Sequence, residues 1–123
     1  MKILVVEDEP ENQLAIQVIL TVEGFEVVSV EDGRLALQTA KEHRPDLILL
    51  DVMMPEINGF EVLAQLRHDE ATKDIPVIML TALAQRSDVA KAVEAGVDDY
   101  VAKPFEPGDL IERIRKAIVK RET

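Results

Sequence analysis

Purely apolar runs that stop abruptly on acids dominate the hydrophobic pattern of this chain. Ile3-Leu4-Val5-Val6 runs straight into Glu7-Asp8-Glu9, and Leu47-Ile48-Leu49-Leu50 into Asp51. Continuous apolar runs with β-branched content suit parallel strands covered on both faces, whereas a strand with one wet face would alternate. Helical spacing fills the intervals. Pro10 starts a helix through about Val22, with Leu14, Val18 and Val22 on one stripe and Ala15 and Ile19 beside it. Gly24 stops it, and Phe25 to Val30 reads as a second strand. Asp32 is placed to N-cap a helix from Gly33 to about Glu42, which Pro45 ends. After the third strand, Leu47 to Leu50, the pair Asn58-Gly59 could signal a hairpin. The spacing of Phe60, Leu63, Ala64 and Leu66 is helical instead, so a third helix is predicted.

The second half repeats the alternation. Ile75 to Leu80 is a fourth apolar strand ending at Thr81, and a helix follows from about Ser87 to Glu94. Ala90 and Val93 are its expected inner stripe, with Gly96 as its stop. Tyr100 to Ala102 is a short fifth strand ending at Lys103-Pro104, and the last helix starts near Pro107 and buries Leu110, Ile111, Ile114 and Ile118. Five β-α units with short connections imply an α/β fold: a doubly wound five-stranded parallel sheet with helices on both faces. The flavodoxin-like order 2-1-3-4-5 sets strands one and three side by side at the switch point, where ligands bind beyond the strand ends. Glu7, Asp8, Asp51, Thr81 and Lys103 then share one rim. Carboxylates gathered there repel one another unless a hard cation or a proton intervenes, which points to a metal site.

Composition narrows the choice further. A chain of 123 residues fits one compact domain, 1–123, and 47% hydrophobic with 31% charged residues excludes disorder. No apolar stretch nears the ~20 residues of a membrane span, and Lys2 with the acids at Glu7 to Glu9 does not suit a signal peptide. The absence of cysteine rules out disulfides and fits a cytoplasmic location. The net charge of −10 repels polyphosphates and anionic membranes, so neither direct nucleic-acid binding nor membrane insertion is expected.

Val5-Val6-Glu7-Asp8, Asp51-Val52-Met53-Met54-Pro55 with Gly59, Thr81-Ala82 and Lys103-Pro104-Phe105 occur in an order and spacing that span the chain. In these motifs it resembles a receiver domain of bacterial two-component response regulators, the CheY-like superfamily. The resemblance implies a phosphorylation-activated switch, with Asp51 accepting a phosphoryl group from a sensor histidine kinase or a histidine phosphotransfer protein. It implies Mg²⁺ (or Mn²⁺) on Asp8, Asp51 and the backbone carbonyl of Met53, with Glu7 ligating through water. Thr81 and Lys103 would bind phosphoryl oxygens, and Thr81 would couple to Tyr100. The downstream protein target would dock on the face of the fourth helix, fifth strand and fifth helix, around Ala84, Val89, Tyr100 and Lys103. Met53 and Leu83 would flank attacking water, and as apolar side chains they imply a long-lived phosphorylated state. One departure is the pair Glu7-Asp8 where many members carry two aspartates.

The chemistry asks for these residue types in its own right. A carboxylate attacking a phosphoryl group must overcome anion–anion repulsion, which a divalent cation relieves by bridging. Mg²⁺ keeps several waters, so one or two direct carboxylates suffice. A compact ammonium such as that of Lys103 neutralises charge that grows on the transferring oxygens. Taken singly, each residue has a plainer reading: Glu7 to Glu11 as first-turn acids, Asp51 as a loop-starting Asp, Thr81 as a strand end, Lys103 as a surface lysine. Their coincidence at one rim favours the site. His43 and His68, near helix ends, fit dipole-facing or solvated roles. Two rival readings are an aspartyl-phosphate-type phosphohydrolase and a flavin-binding electron-transfer protein of the same topology. The first wants a second Asp where Met53 stands, and the second a Ser/Thr/Gly-rich loop where Glu7-Asp8-Glu9 stands. The ending Lys120-Arg121-Glu122-Thr123, without a linker, favours a free-standing regulator.

Overall fold

Five apolar segments pair as one parallel sheet, and each is followed by a helix that covers it. In the computed structural model these are β1 (Lys2–Val6), α1 (Pro10–Val22), β2 (Glu26–Val30), α2 (Ala36–His43), β3 (Leu47–Asp51), α3 (Gly59–Arg67), β4 (Val77–Thr81), α4 (Arg86–Glu94), β5 (Asp99–Ala102) and α5 (Pro107–Glu122). The structure describes residues 1–52, 57–81 and 86–122, without the side chains at 81, 86–89 and 121–122. All pairings are parallel, in the order β2-β1-β3-β4-β5. The predicted topology is therefore the observed one.

Strand residues alternate between two cores because successive side chains leave opposite faces of a strand. Ile3, Val5, Leu47, Leu49, Ile78 and Leu80 pack with Ile16 and Leu20 of α1 and with Leu110, Ile111, Ile114 and Ile118 of α5. Leu4, Val6, Ile48, Leu50, Val77 and Met79 pack with α2, α3 and Ala92 of α4. The interior strands are buried on both faces, as their unbroken apolar runs require.

Two helix faces differ from expectation. The stripe Leu14, Val18 and Val22 faces solvent together with Ala15, and Ile16 and Leu20 are the buried pair. α1 is apolar on most of its circumference, so periodicity alone cannot choose a side; its glutamines do. Gln17 Nε2 donates to Ser29 Oγ at 2.6 Å and Gln13 Nε2 to strand carbonyls, which turns Ile16 and Leu20 inward. In α4, Ala90 and Val93 are exposed and Ala92 is buried with Ala95 beside it. Among its described side chains the helix turns Ala92 to the sheet and Ala90 and the branched Val93 outward. The segment after Asp32 also opens with a 3₁₀ turn, Gly33–Leu35, because the Asp32 carboxylate accepts from Arg34 N at 2.8 Å and tightens the entry to α2.

Asn58-Gly59 forms no hairpin. Asn58 caps α3, its side-chain oxygen accepting from Glu61 N at 3.0 Å. At the far end of α3, Arg67 ties three segments together, donating to the carbonyls of Lys73, Ile75 and Gly96 and pairing with Asp98 at 3.0 Å. The start of α3 lies against the end of β3: Gly59 N donates to Val52 O at 2.8 Å. A Cβ on Gly59 would stand 2.6 Å from the Asp51 carbonyl oxygen and 2.7 Å from Val52 Cα. Both obstacles are backbone, so α3 would have to retreat from the residue that carries the central carboxylate. Gly59→Ala gains about 1 kcal/mol of helix propensity but loses up to about 3 kcal/mol to overpacking. A lower urea midpoint is expected; an unchanged one would show that α3 yields freely.

Candidate functional site: an acidic cluster at the strand ends

β1 and β3 are neighbours, and their ends bring three carboxylates to one place. Glu7, Asp8 and Asp51 each offer an oxygen within 4.8 Å of the other two. Burial is unusually deep for acids, with Glu7 1% and Asp51 6% exposed. Lys103, at the end of β5, closes the cluster from the far side. Its Nζ donates to Glu7 Oε1 at 2.8 Å and stands 3.5 Å from Asp51 Oδ2. The peptide that follows, Lys103–Pro104, is cis.

The electrostatics follow from this crowding. Burial pushes Glu7 up, but the hydrogen bonds it shares with Asp51 and Lys103, and the charge of Lys103, outweigh it and hold the carboxyl below its ordinary value. Asp8 goes the other way: burial first, then the hydrogen bond and charge of Glu7, raise it. Burial opposes the charge on Lys103, yet Glu7 and Asp51 more than offset that and raise its pKa. Glu7 is thus committed to its lysine, while Asp8 Oδ1 is buried with no hydrogen-bond partner. An orphaned carboxylate oxygen beside two further carboxylates suits a hard divalent cation, which takes oxygen ligands and supplies the missing charge. The residues present fit such an ion.

The sequence-wide match decides the family. Residues 3–115 match the model of the response regulator receiver domain. The chain belongs to this family. It is 42% identical over 121 residues to the DNA-binding response regulator MtrA of Mycolicibacterium smegmatis, a match covering 98% of this chain and 52% of that protein. The chain thus spans about half the length of the curated relatives it matches. A CheY-like response regulator receiver domain protein of Methanospirillum hungatei superposes with a TM-score of 0.90 at 28% identity, over 98% of this chain and 95% of that one. The receiver domain of the sensor histidine kinase PA1611 of Pseudomonas aeruginosa, solved with a magnesium ion coordinated in its active-site cleft, gives 0.89 at 36% identity, covering 96% and 97%. Neither a phosphohydrolase nor a flavin protein is favoured by these likenesses.

Of the site residues expected in this receiver, Glu7, Asp8, Asp51 and Lys103 come together as predicted in space. Met53, Ala82, Leu83 and Ala84, and the side chains of Thr81 and Val89, lie outside the described residues. Tyr100 is half-buried and packs against the core on the α4 side of the sheet. What the sequence did not reveal is Gln13, whose Nε2 donates to the carbonyls of Glu7 and Val30, both at 3.2 Å. A single glutamine on a helix carries no signal of such a contact.

The raised pKa of Asp8 sets a pH dependence. A carboxyl whose folded-state pKa lies above its unfolded value destabilises the fold once ionised. The penalty is absent below the ordinary value of 3.8 and complete above the raised one. Glu7, lowered, acts oppositely: its stabilisation is present above its ordinary 4.5 and is lost as pH falls through its lowered value. In chelator, Asp8→Asn should therefore melt a few degrees higher than wild type at pH 7, with the gap closing toward pH 4. Added Mg²⁺ should raise the melting temperature of the wild type and not of the variant. A gap that is independent of pH would remove Asp8 as its source.

Proposed function

We propose that this chain, as a single receiver domain over 1–123, is a phosphorylation-activated switch whose acceptor is Asp51. The observation that carries the reading is the meeting of Glu7, Asp8 and Asp51 with Lys103 at the strand ends of a receiver fold. A phosphohistidine of a sensor histidine kinase or a histidine phosphotransfer protein is the donor. A bond forms between an Asp51 carboxylate oxygen and phosphorus as the phosphorus–nitrogen bond of the donor breaks. The domain acts on its own side chain and turns over no diffusible substrate.

Each neighbour has a part that its position supports. Asp8 and Asp51, with the Met53 carbonyl, would hold Mg²⁺ (or Mn²⁺), and Glu7, engaged by Lys103 at 2.8 Å, would reach it through water. When bound, the cation supplies charge that offsets anion–anion repulsion during transfer. The Lys103 ammonium stands 3.5 Å from Asp51 Oδ2, near enough to follow the oxygens of an incoming phosphoryl group. Thr81, the last residue of β4, is the candidate hydroxyl donor to another of those oxygens. The apolar side chains of Met53 and Leu83 favour slow hydrolysis, because neither orients water.

Readout follows from Thr81 and Tyr100. A Thr81 hydroxyl drawn toward the phosphoryl group leaves room for the ring of Tyr100 to turn further into the α4 side. The surface that changes is α4, β5 and α5, and α4 presents exposed Ala90 and Val93 there to a protein target. A net charge of −10 favours protein contact over direct contact with nucleic acid. No helix among the described residues is long and apolar enough to cross a membrane. A cytoplasmic location is the reading that fits a chain without cysteine that takes its phosphoryl group from a histidine kinase.

Incubation with acetyl phosphate and Mg²⁺ tests the central step by intact mass. Wild type should gain one phosphoryl group and Asp51→Ala none; equal gain in both would move the acceptor elsewhere. A structure with a phosphoryl mimic on Asp51 tests the readout. Thr81 and Tyr100 should both shift toward the site, and identical positions with and without the mimic would exclude this route.

A further inference from the structure

Asp8 is the acid with the least support from its own side chain, since Oδ1 is buried without a partner. Beyond the hydrogen bond it shares with Glu7, its aim depends on the backbone that carries it. That backbone leaves β1 through the peptide joining Glu7 to Asp8. Glu7 N donates to Val30 O at 3.1 Å, extending the β1–β2 ladder by one bond past Val6. The Glu7 carbonyl would then turn freely, were it not for α1. Gln13 Nε2 donates to Glu7 O at 3.2 Å and to Val30 O at 3.2 Å, one amide group spanning both carbonyls with its two protons. Gln13 is half-buried and sits in the second turn of α1, whose start is fixed by Gln13 N donating to Glu9 O at 2.9 Å.

We propose that Gln13 is a positioning residue for the cation site: it locks the Glu7–Asp8 peptide plane and thereby points Asp8 at Asp51. Turning about the Glu7 ψ angle would swing the Cβ of Asp8 while leaving the β1 ladder intact, and the other described contact across this bend, Glu9 N to Glu7 Oε2, is long at 3.4 Å and does not hold the Glu7 carbonyl. The inference rests on the receiver reading, because it assigns Gln13 its purpose through the metal. Outer groups that orient ligands typically alter metal affinity 10–100-fold when removed.

The same helix provides a matched control. One turn on, Gln17 also ties α1 to β2, through Ser29 Oγ at 2.6 Å, but touches neither acid. Mg²⁺ titration by calorimetry on wild type, Gln13→Met and Gln17→Met separates positioning from general support. About a tenfold or greater loss of affinity is expected for Gln13→Met, and none for Gln17→Met, even where both melt lower. In the metal-free protein the Asp8 amide resonance should move in Gln13→Met and stay in Gln17→Met. Should Gln13→Met not fold, Gln13→Asn, which withdraws the donor by one methylene, carries the same comparison. A wild type that neither binds Mg²⁺ nor gains a phosphoryl group overturns the receiver reading and this proposal with it. A wild type that does both, with Gln13→Met at full affinity or Gln17→Met equally weakened, overturns the proposal alone.

Discussion

Repulsion among three carboxylates held at one strand edge is the constraint around which the rest of the molecule is arranged. Glu7, Asp8 and Asp51 cannot separate, because the strands that carry them are hydrogen-bonded neighbours with both faces buried. Removing charge from water is unfavourable unless it is paired, and one lysine cannot pair three acids. Lys103 settles on Glu7, the most buried, and leaves Asp8 to be relieved by a proton or a cation. The departure from a pair of aspartates has a physical consequence here. The extra methylene of Glu7 lets it meet the lysine at 2.8 Å, while the shorter Asp8 keeps an oxygen for other use.

The surrounding fold acts to hold this unfavourable arrangement still. Gly59 allows the N-terminus of α3 to touch the backbone of Asp51 and Val52, so the strand end cannot bend away. Gln13 secures the exit of β1 from the opposite face of the sheet. Both supports act on main chain rather than on the acids, which leaves the carboxylate oxygens available for chemistry.

The fold was legible because its strands are unambiguous. Ile3 to Val6 and Leu47 to Leu50 can only be buried on both faces, and such strands demand helices on each side and a parallel order. The acids were legible for the same reason: a charge that ends a buried run must lie at the rim. Helix faces were harder. Leu14, Val18 and Val22 offer as good a stripe as Ile16 and Leu20, and the choice is made by Gln13 and Gln17 bonding to partners far along the chain. α4 misled similarly, since Ala92 is buried while Ala90 and Val93 face out. Hydrophobicity ranks residues, but fit against a strand ranks them differently. The support from Gln13 depends on a contact with Val30, seventeen residues away, that no local pattern encodes.

The ion pair between Lys103 and Glu7 joins positions 96 residues apart, just past the ends of the first and last strands. Contacts of such separation form late, because the loop they close must be ordered first. During synthesis, Glu7, Asp8 and Asp51 are all made well before their counter-charge emerges. Until β5 joins the sheet, Glu7 lacks the lysine that pairs with it in the finished fold. Completion of the sheet and pairing of its most buried acid are thus linked.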